Sequence, residues 1–465
     1  MKTINIKSML FIATAAVVLF TSCGDDFFDV KPKSSLSDGT FWKTEADVEM
    51  GLIACYKDWE GLRNIVWMDM AGGNGYSQFA WDAYQAFGNG TLNASSAQVN
   101  LFTYGQITKH NTFLEKVDGV EMDNAKKERY KAEVRFLRAY NYFRRVMYYG
   151  DVPLVTKTFA TPSEANLPRD PEAKVKEFIL QELNEIADKL PEQNEIQSGG
   201  HITRGAAYAL KSRLELFMED YANALKSAKK VIDMTCFELY PDYLGIWLAE
   251  NNSSNKEIIL SVQCVRDLYS HDIWQHNLPA AEGGWSSVNI SKNLVDTYEM
   301  DNGKPITDPS SGYNEEKQFE KRDPRFALTV LHPGQSFNGR IYNTLDETVN
   351  GKKNPDFWSE AAAPRTGLSM KKYLKVVPSS EFGNCDANIP VIRLAEVYLT
   401  YAEAAEKVGT AEEKKLALDL INLIRGRVNH VKATALTEDL VRRERRVELC
   451  FEGLWYYDVK RWNLG

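Results

Sequence analysis

Cysteine and histidine are scarce in this sequence, with six of each among 465 residues. The cysteines are far apart, and the CxxC and Cys/His spacings typical of zinc sites do not occur. His271 and His276 share a loop with Asp272, but three such residues in an irregular segment are a poor case for a metal site. The sequence therefore predicts neither a metal nor a cofactor. Buried free thiols are expected for most of the cysteines after Cys23, which are Cys55, Cys236, Cys264, Cys385 and Cys450.

The common motifs of nucleophilic, metal-dependent and nucleotide-dependent enzymes are also missing. The sequence contains no GxSxG and no HExxH motif. The glycine-rich run at 72–75 lacks the Lys-Ser/Thr pair of a phosphate-binding loop, so it predicts a flexible surface loop instead. These absences argue against the best-known hydrolase and nucleotidase mechanisms.

Positive charge is in deficit, with a formal net charge of −8 at pH 7. An acidic protein gains nothing from a phosphate backbone, so nucleic acid is not expected as a partner. A long apolar run occurs once, over residues 9–20, and nothing after it approaches the roughly 20 apolar residues that span a bilayer. The remaining chain of about 440 residues is therefore predicted to be soluble, as one large domain or a domain with a sizeable insertion.

The amino-terminal segment predicts export. Lysines precede the apolar run, and small residues follow it directly before Cys23, an order that describes a signal segment. A cysteine at the cut site indicates a lipoprotein signal, in which residues 1–22 are removed and Cys23 carries acyl chains that hold the protein on a membrane. Phe20 is off the pattern, because leucine usually stands three residues before the cysteine. An ordinary secretory signal with Cys23 present by chance remains the alternative.

Apolar residues recur at helical spacing in several segments, which predicts a mainly α protein. Thr44 is expected to cap a first helix. The other expected helices lie at 126–149 and 172–190, in a hairpin at 203–234, in a second pair at 392–408 and 412–427, and at about 437–451. The hairpin has the length and the alternation of small and large residues that are typical of a tetratricopeptide unit. The predicted inner face of the second pair consists of Leu394, Val397, Tyr401, Ala404 and Val408.

Two segments interrupt the helical pattern. Residues 67–97 are rich in Gly, Asn, Ser and aromatics, and residues 236–389 carry most of the prolines and a strand-like run at 257–262. Such long irregular stretches in a helical protein are usually functional or form a folded insertion. The expected division is a single domain over 23–465, with a helical scaffold at about 41–66, 98–235 and 390–463 and a loop-rich ligand-binding portion at about 67–97 and 236–389.

Several long motifs, in order and at consistent spacing, resemble one family. They are EVRFLRAY at 133–140 with YGDVPLV at 149–155, IRLAEVYL at 392–399 with YAEA at 401–404, RRERRVEL at 442–449 with FEG at 451–453, and DVKRW at 458–462. Lesser matches are DPRF at 323–326 and TGLSMKKY at 366–373. Together with the lipoprotein start, the sequence resembles the SusD/RagB family of outer-membrane nutrient-binding lipoproteins from Cys23 to Trp462.

This resemblance implies a SusD-like fold, in which tetratricopeptide-like helix pairs carry a large irregular insertion. It also implies a non-catalytic role: the protein captures oligosaccharides, or peptides in some relatives, and delivers them to a SusC-type TonB-dependent outer-membrane transporter. The acidic pair Asp25-Asp26 resembles the export tag of surface-displayed lipoproteins, which implies an outer membrane location facing the cell exterior, with Cys23 as the lipid anchor. Family members usually continue past the 458–462 motif with a polar tail, so a chain ending at Gly465 is expected to be truncated or a short member.

The segment from Arg442 to Glu452 admits two interpretations. Glu448 and Glu452 are one turn apart and could do acid/base work on a glycosidic bond, as in a surface glycoside hydrolase. Alternatively, the charges tie this half-apolar helix to its neighbours, with Arg445 and Glu448 as an i,i+3 pair. The apolar stripe on the same helix favours ion pairing.

Sugar binding requires aromatic faces for the apolar side of pyranose rings and nearby polar groups for their hydroxyls. Both irregular segments supply them, and Trp81 and Trp285 are the leading candidates for stacking. The other predicted ligand contacts are Asp69, Asn74, Tyr76, Tyr84, Trp274 and Asn289. Any of these rings could instead be part of the core. A glycan-binding protein is favoured over a hydrolase, a peptide-binding uptake protein of the RagB kind, or a helical adaptor without a ligand.

Overall fold

The computed structural model describes residues 41–82, 84–93, 102–193 and 200–465. The predicted signal segment, Cys23 and the acidic pair lie outside these residues. The fold is mainly α, as predicted, with about 49% helix in 15 α-helices among the described residues. Within the same ranges, no helix combines the length and apolar character needed to cross a membrane.

The α-helices and β-strands follow one another in this order. The helices are α1 Glu45–Tyr56, α2 Met68–Ala71, α3 Gln85–Gly88, α4 Gly105–Lys116, α5 Asn124–Tyr149, α6 Glu172–Ile186, α7 Arg204–Phe217, α8 Tyr221–Ile232, α9 Ile273–Asn277, α10 Lys292–Thr297, α11 Pro324–Thr329, α12 Leu394–Val408, α13 Ala411–Arg427, α14 Glu438–Leu449 and α15 Trp455–Arg461. The strands are β1 Gly75–Ser77, β2 Ile258–Val262, β3 Val288–Ile290, β4 Val330–Leu331, β5 Ser336–Phe337, β6 Arg340–Ile341, β7 Thr348–Val349, β8 Lys352–Lys353, β9 Ser369–Met370 and β10 Ile389–Arg393. A π-helix, Arg63–Trp67, leads into α2.

The helical scaffold is a series of neighbours in contact. Helix α4 packs on α5, α5 on α6, α7 on α8, and α8 on α12, which also contacts α13 and α14. Thr44 caps α1 with a full capping box, since its hydroxyl accepts from Asp47 N–H while the Asp47 carboxylate accepts from Thr44 N–H. Helix α5 ends at Gly150, whose φ of 66° favours glycine. The start of α1 and the end of α5 were both indicated by the sequence.

Three details differ from the predicted helices. Ile392 and Arg393 belong to β10 rather than to the following helix, because β10 pairs antiparallel with β2 and Leu394 N–H donates to the Glu257 carbonyl at 2.9 Å. Val408 is 52% exposed and does not join the inner face of α12. The last long helix ends at Leu449, because Cys450 is extended and Phe451 has a φ of 63°.

A four-stranded sheet in the order β1-β3-β9-β4 joins the two irregular regions. Strand β1 from the first region pairs antiparallel with β3 from the second, with Tyr76 opposite Asn289 and Gly75 opposite Ile290. The segments on either side of these strands are thereby held side by side. This sheet positions the candidate site described below.

The charges of the 442–452 segment form a buried ionic cluster. Glu448 is fully buried, and its carboxylate accepts from Arg393 at 2.9 Å, from Arg325 at 3.2 Å and from Arg427. The Glu452 carboxylate accepts from Arg393 Nε and from Lys372 Nζ, both at 2.6 Å. Burial opposes ionisation of Glu448, but the three guanidiniums outweigh it and hold its pKa well below the usual range. Ion pairing between elements therefore accounts for these carboxylates.

The partners within this cluster are not those expected from spacing. Arg445 does not pair with Glu448 as predicted; its Nε donates to Asp458 of α15 at 2.7 Å. Similar pairs connect other helices: Arg138 with Glu182 at 2.8 Å and Arg213 with Glu396 at 2.6 Å. The charged positions of the family-like motifs thus tie helices to one another.

The five cysteines within the described ranges are free thiols. Four of them are buried, and Cys236 is half-buried. Burial raises the pKa of the Cys55, Cys264 and Cys385 thiols to about 12. The prediction of buried free thiols for most of them is confirmed.

Candidate functional site

Aromatic side chains from both irregular regions form an open pocket of about 480 Å³, which we call the aromatic pocket. Its lining residues are Arg63, Phe79, Trp81, His276, Trp285, Ala361 and Ala362. Trp81 is 52% exposed and Trp285 is 38% exposed. Aromatic rings of a protein core are buried, so two large exposed rings in one pocket are typical of a ligand-binding surface.

The rings of the pocket contact one another at defined angles. Phe79 stacks on Trp81 with ring centroids 5.1 Å apart and 15° between the planes. Trp285 meets Trp81 edge to face at 5.9 Å and 75°. The His276 ring lies 5.0 Å from Trp285 and 5.7 Å from Trp81. Such contacts fix the rings in place before any ligand arrives.

Arg63 and His276 form the polar part of the pocket. The Arg63 guanidinium lies over the Trp67 ring at 5.1 Å, and its Nη2 donates to His276 Nε2 at 2.6 Å. His276 Nε2 also lies 3.1 Å from an oxygen of the Asp272 carboxylate, and Nδ1 faces the Ser287 hydroxyl at 3.4 Å. Trp67 is itself buried and donates from Nε1 to Asp82 at 2.5 Å. The π-helix that carries Arg63 and Trp67 is a geometry often found at functional sites.

The Trp285 backbone is held by both regions. Gln78 Nε2 donates to the Trp285 carbonyl at 2.8 Å, and Trp285 N–H donates to the Gln275 carbonyl at 3.0 Å. Gly283 precedes it with a φ of 88°, a conformation that favours glycine. A Cβ at Gly284 would lie 2.2 Å from the Leu278 carbonyl oxygen. The turn therefore depends on two adjacent glycines.

Gly284→Ala is expected to displace the turn that carries Trp285. The new methyl group cannot coexist with the Leu278 carbonyl, so we expect a loss of about 1–3 kcal/mol in the free energy of unfolding and a shift of the tryptophan emission. Urea denaturation and fluorescence measure both. Gly383→Ala is the matched control, because nothing lies within 4 Å of its added Cβ. Equal behaviour of the two variants would contradict the close approach.

Two predicted ligand contacts, Asp69 and Asn74, are fully buried. The Asp69 carboxylate accepts from the backbone N–H of Gly453 at 3.1 Å, from that of Phe451, and from Asn74 Nδ2 at 3.0 Å. Asn74 Oδ1 accepts from Arg446 Nε at 2.9 Å. These polar groups therefore tie the first irregular region to the carboxy-terminal segment.

Three more of the predicted contacts are buried: Tyr84, Trp274 and Asn289. Tyr84 stacks on Phe87 with centroids 5.9 Å apart. Asn289 donates to the Ser286 carbonyl at 2.7 Å and accepts from Arg365 N–H at 2.6 Å.

Tyr76 is half-buried on β1, and its ring lies against Gly88. Of the predicted set, the aromatic pocket brings together Trp81 and Trp285 alone. We keep these two as the predicted ligand contacts.

Sequence reasoning did not select Arg63, Phe79 or the Ala361-Ala362 pair. Phe79 had a weak signal, since it lies two residues before Trp81 in an aromatic-rich segment. Arg63 and the alanines had none, because only the tertiary fold brings them to the pocket. His276, considered as a metal ligand, lies in the wall of the pocket, and His271 Nε2 contacts the Ala387 carbonyl at 2.9 Å.

A second, polar cleft of about 530 Å³ lies beside β2 and β10. Amide side chains line it, but they bond to one another and to the backbone: Asn388 Nδ2 donates to Gln263 at 3.2 Å, and Asn252 Nδ2 to the Asp386 carbonyl at 2.9 Å. None of its described lining residues is Trp, Tyr or Phe. Although this cleft is slightly larger, its described lining residues offer no such ring for stacking on a sugar, so the aromatic pocket is the better candidate site.

Comparison with known proteins gives matches along most of the chain. A family model described as "SusD family" matches residues 245–465, and one described as "Starch-binding associating with outer membrane" matches residues 26–216. A SusD-like protein of Bacteroides ovatus is 24% identical, covering 99% of this chain and 83% of the relative. The starch-binding protein SusD of Bacteroides thetaiotaomicron is 26% identical over 77% of this chain and 68% of its own length. The crystal structure of a SusD-like carbohydrate-binding protein from Bacteroides fragilis superposes with a TM-score of 0.82 at 27% identity, covering 91% of this chain and 87% of that one.

Proposed function

Because this chain belongs to the SusD family, we propose that it is a non-catalytic cell-surface lipoprotein that binds a glycan in the aromatic pocket. The bound oligosaccharide or polysaccharide would then pass to a SusC-type TonB-dependent outer-membrane transporter. The observation that carries the proposal is the pair of half-exposed rings, Trp81 and Trp285, meeting at 5.9 Å in an open pocket. Aromatic surfaces of this kind suit the apolar faces of sugar rings.

Relatives support the choice of a sugar as the ligand. One relative is named as a starch-binding protein and another as a carbohydrate-binding protein, and over the matched regions they are 26% and 27% identical to this chain. A peptide ligand, as in RagB-like uptake proteins, stays as the alternative within the same family. Glu448 and Glu452, the residues considered for a glycoside hydrolase, are buried and paired with cations, which argues against that function.

The proposed location follows from Cys23 and from the family. An acylated Cys23 would tether the protein to the outer membrane, and the stretch between Cys23 and α1 would join the anchor to the folded domain. The family model described as associating with the outer membrane supports this location. Metabolic labelling with a palmitate analogue tests it: wild type should carry the label and Cys23→Ala should not.

Trp81→Ala and Trp285→Ala are each expected to weaken glycan binding by about 1 kcal/mol or more, roughly fivefold or beyond, because each removes a stacking surface. A glycan panel measured by affinity electrophoresis and calorimetry provides the reading. Both rings are about half-exposed and lie at the surface, so the urea midpoint should change much less than for a core tryptophan.

Trp358→Ala is the matched control, since Trp358 is 49% exposed but does not line the pocket. If Trp81→Ala, Trp285→Ala and Trp358→Ala all bind the glycan as strongly as wild type does, the pocket is not the glycan site. Binding of peptides but of no glycan would favour the alternative ligand. Release of reducing ends by the wild-type protein would contradict a non-catalytic role, and co-purification of the transporter tests the delivery step.

A further inference from the structure

We infer that the glycan bound in the aromatic pocket is acidic, and that Arg63 pairs with a carboxylate or sulfate group on it. This inference rests on the proposed function and names the class of its ligand. It follows from the charge of the pocket, from the way in which Arg63 is held, and from the contrast with other arginines of the molecule.

The ionisable residues that line the pocket are Arg63 and His276, and no carboxylate is among the lining residues. The nearest acid to Arg63 is Asp82, whose side chain is 1% exposed and lies 4.0 Å from Nη1. Its Oδ2 already accepts from Trp67 Nε1. Asp272 contacts His276 Nε2 at 3.1 Å and does not line the pocket. In a protein of net charge −8, the pocket thus presents a cation.

Arg63 is fixed in place, and Asp82 at 4.0 Å is the one carboxylate within ion-pair distance of it among the described residues. Its guanidinium lies 5.1 Å over Trp67 and 5.8 Å over Trp81, and Nη2 lies 2.6 Å from His276 Nε2. The side chain remains 41% exposed. A guanidinium carries five N–H donors in a rigid fork, so donors remain for a ligand.

Two fully buried arginines, Arg325 and Arg393, each contact carboxylates closely. Arg393 meets Glu257 and Glu452 at 2.6 Å each, and Arg325 meets Asp323 at 2.6 Å. Arg63 instead faces an apolar pocket whose low local dielectric strengthens attraction to an anion. A carboxylate or sulfate would give Arg63 the close pairing that Arg325 and Arg393 already have.

The ligand that satisfies both parts of the pocket has a ring with an apolar face and an anionic substituent. Phe79, Trp81 and Trp285 offer the ring surfaces, and Arg63 offers a two-pronged donor that matches the oxygens of a carboxylate or sulfate. Uronic acids and sulfated sugars both fit this description. A neutral sugar would fill the aromatic surface but leave the guanidinium without its counter-charge.

The local charge can be tested without knowing the glycan. Iodide and caesium quench exposed tryptophans, and the share due to the pocket is the difference between the wild-type full-length protein and a Trp81→Phe/Trp285→Phe variant. We expect pocket quenching by iodide to exceed that by caesium by at least about twofold at low ionic strength. Arg63→Met should remove the preference and Arg63→Lys should keep part of it. Lys415→Met, which makes the same change in net charge at a 79% exposed position, should leave it unchanged.

The ligand class is tested with matched pairs of glycans that differ only in charge. Suitable pairs are oligogalacturonides against their methyl esters, and sulfated against desulfated galactans. We expect one acidic member to bind about tenfold or more tightly than its neutral partner, with the advantage lost in Arg63→Met and kept in Lys415→Met. Preference within the first pair identifies a uronate, and preference within the second identifies a sulfate.

Each other result contradicts a distinct statement. Equal binding of charged and neutral partners, or caesium quenching as strong as that of iodide, would overturn the acidic ligand while leaving glycan binding intact. If neither these pairs nor any glycan of the panel binds, the proposed function fails and this inference fails with it. Circular dichroism tests whether Arg63→Met is folded. If it is not folded, the quenching and binding comparisons are made with Arg63→Lys instead.

Discussion

Glu448→Ala is expected to lower the free energy of unfolding by about 3–5 kcal/mol, measured by urea denaturation. The substitution leaves Arg325, Arg393 and Arg427 in the interior without the carboxylate that they share. Such a loss exceeds what deleting a single contact would cause, because uncompensated buried charge is the main penalty. It is a large fraction of the stability of most domains.

The control for this prediction is Asp419→Asn, which removes an exposed pair with Lys415 on helix α13. Its expected effect is below about 1 kcal/mol. Because cations depress the pKa of Glu448, the stability it contributes is present above the ordinary glutamate range and lost as the pH falls below it. The gap between wild type and Glu448→Ala should therefore narrow in acid. A variant as stable as the control would show that the cluster is not cohesive, whereas loss of glycan cleavage without destabilisation would indicate catalysis.

Asp69→Ala is expected to cost about 2–4 kcal/mol, because it leaves the N–H groups of Phe451 and Gly453 and the Asn74 amide without their acceptor. The variant also distinguishes a structural role of Asp69 from the ligand contact that the sequence suggested. A structural role predicts a lowered urea midpoint, whereas a ligand contact predicts weaker glycan binding at unchanged stability. Tyr76→Phe, a half-buried neighbour on β1, should alter neither by a comparable amount.

The pH dependence of the Asp69 effect has a defined sign. Burial raises the pKa of Asp69 to about 6 from its ordinary 3.8, so the folded protein holds a proton that the unfolded chain releases. The resulting stability is present below about pH 4 and is lost as the pH rises through about 6. Asp69→Asn cannot titrate, so the stability of wild type relative to this variant should fall by about 3 kcal/mol between pH 4 and pH 7. A difference that does not change with pH would contradict the raised pKa.

Much of the scaffold was accessible from sequence because its signals are local. The helical spacing of apolar residues in α5, the capping box at Thr44 and the stop at Gly150 each depend on residues within a few positions. The same reasoning failed at Ile392 and Arg393, where pairing with β2 outweighs the helical pattern. Strand pairing between distant segments has no local signal.

The candidate site was accessible only in part. Trp81 and Trp285 could be proposed because aromatics cluster in these Gly- and Asn-rich segments, but their exposure became visible only in the structure. The sequence could not show whether Asp69, Asn74 and Asn289 contact a ligand or have a structural role. The residue types that bind sugar hydroxyls are the same ones that hydrogen-bond backbone groups in loops. Their roles depend on partners such as Gly453 and Arg365, which are far away along the chain.

The bond between Gln78 and the Trp285 carbonyl spans 207 positions of the chain, and this distance has a consequence in time. Bringing together two residues so far apart along the chain costs conformational entropy. Proteins with many such contacts fold slowly. A growing polypeptide has no complete pocket until Ala361 and Ala362, which also line it, have been made. A chain that ends before residue 362 is therefore not expected to form the aromatic pocket.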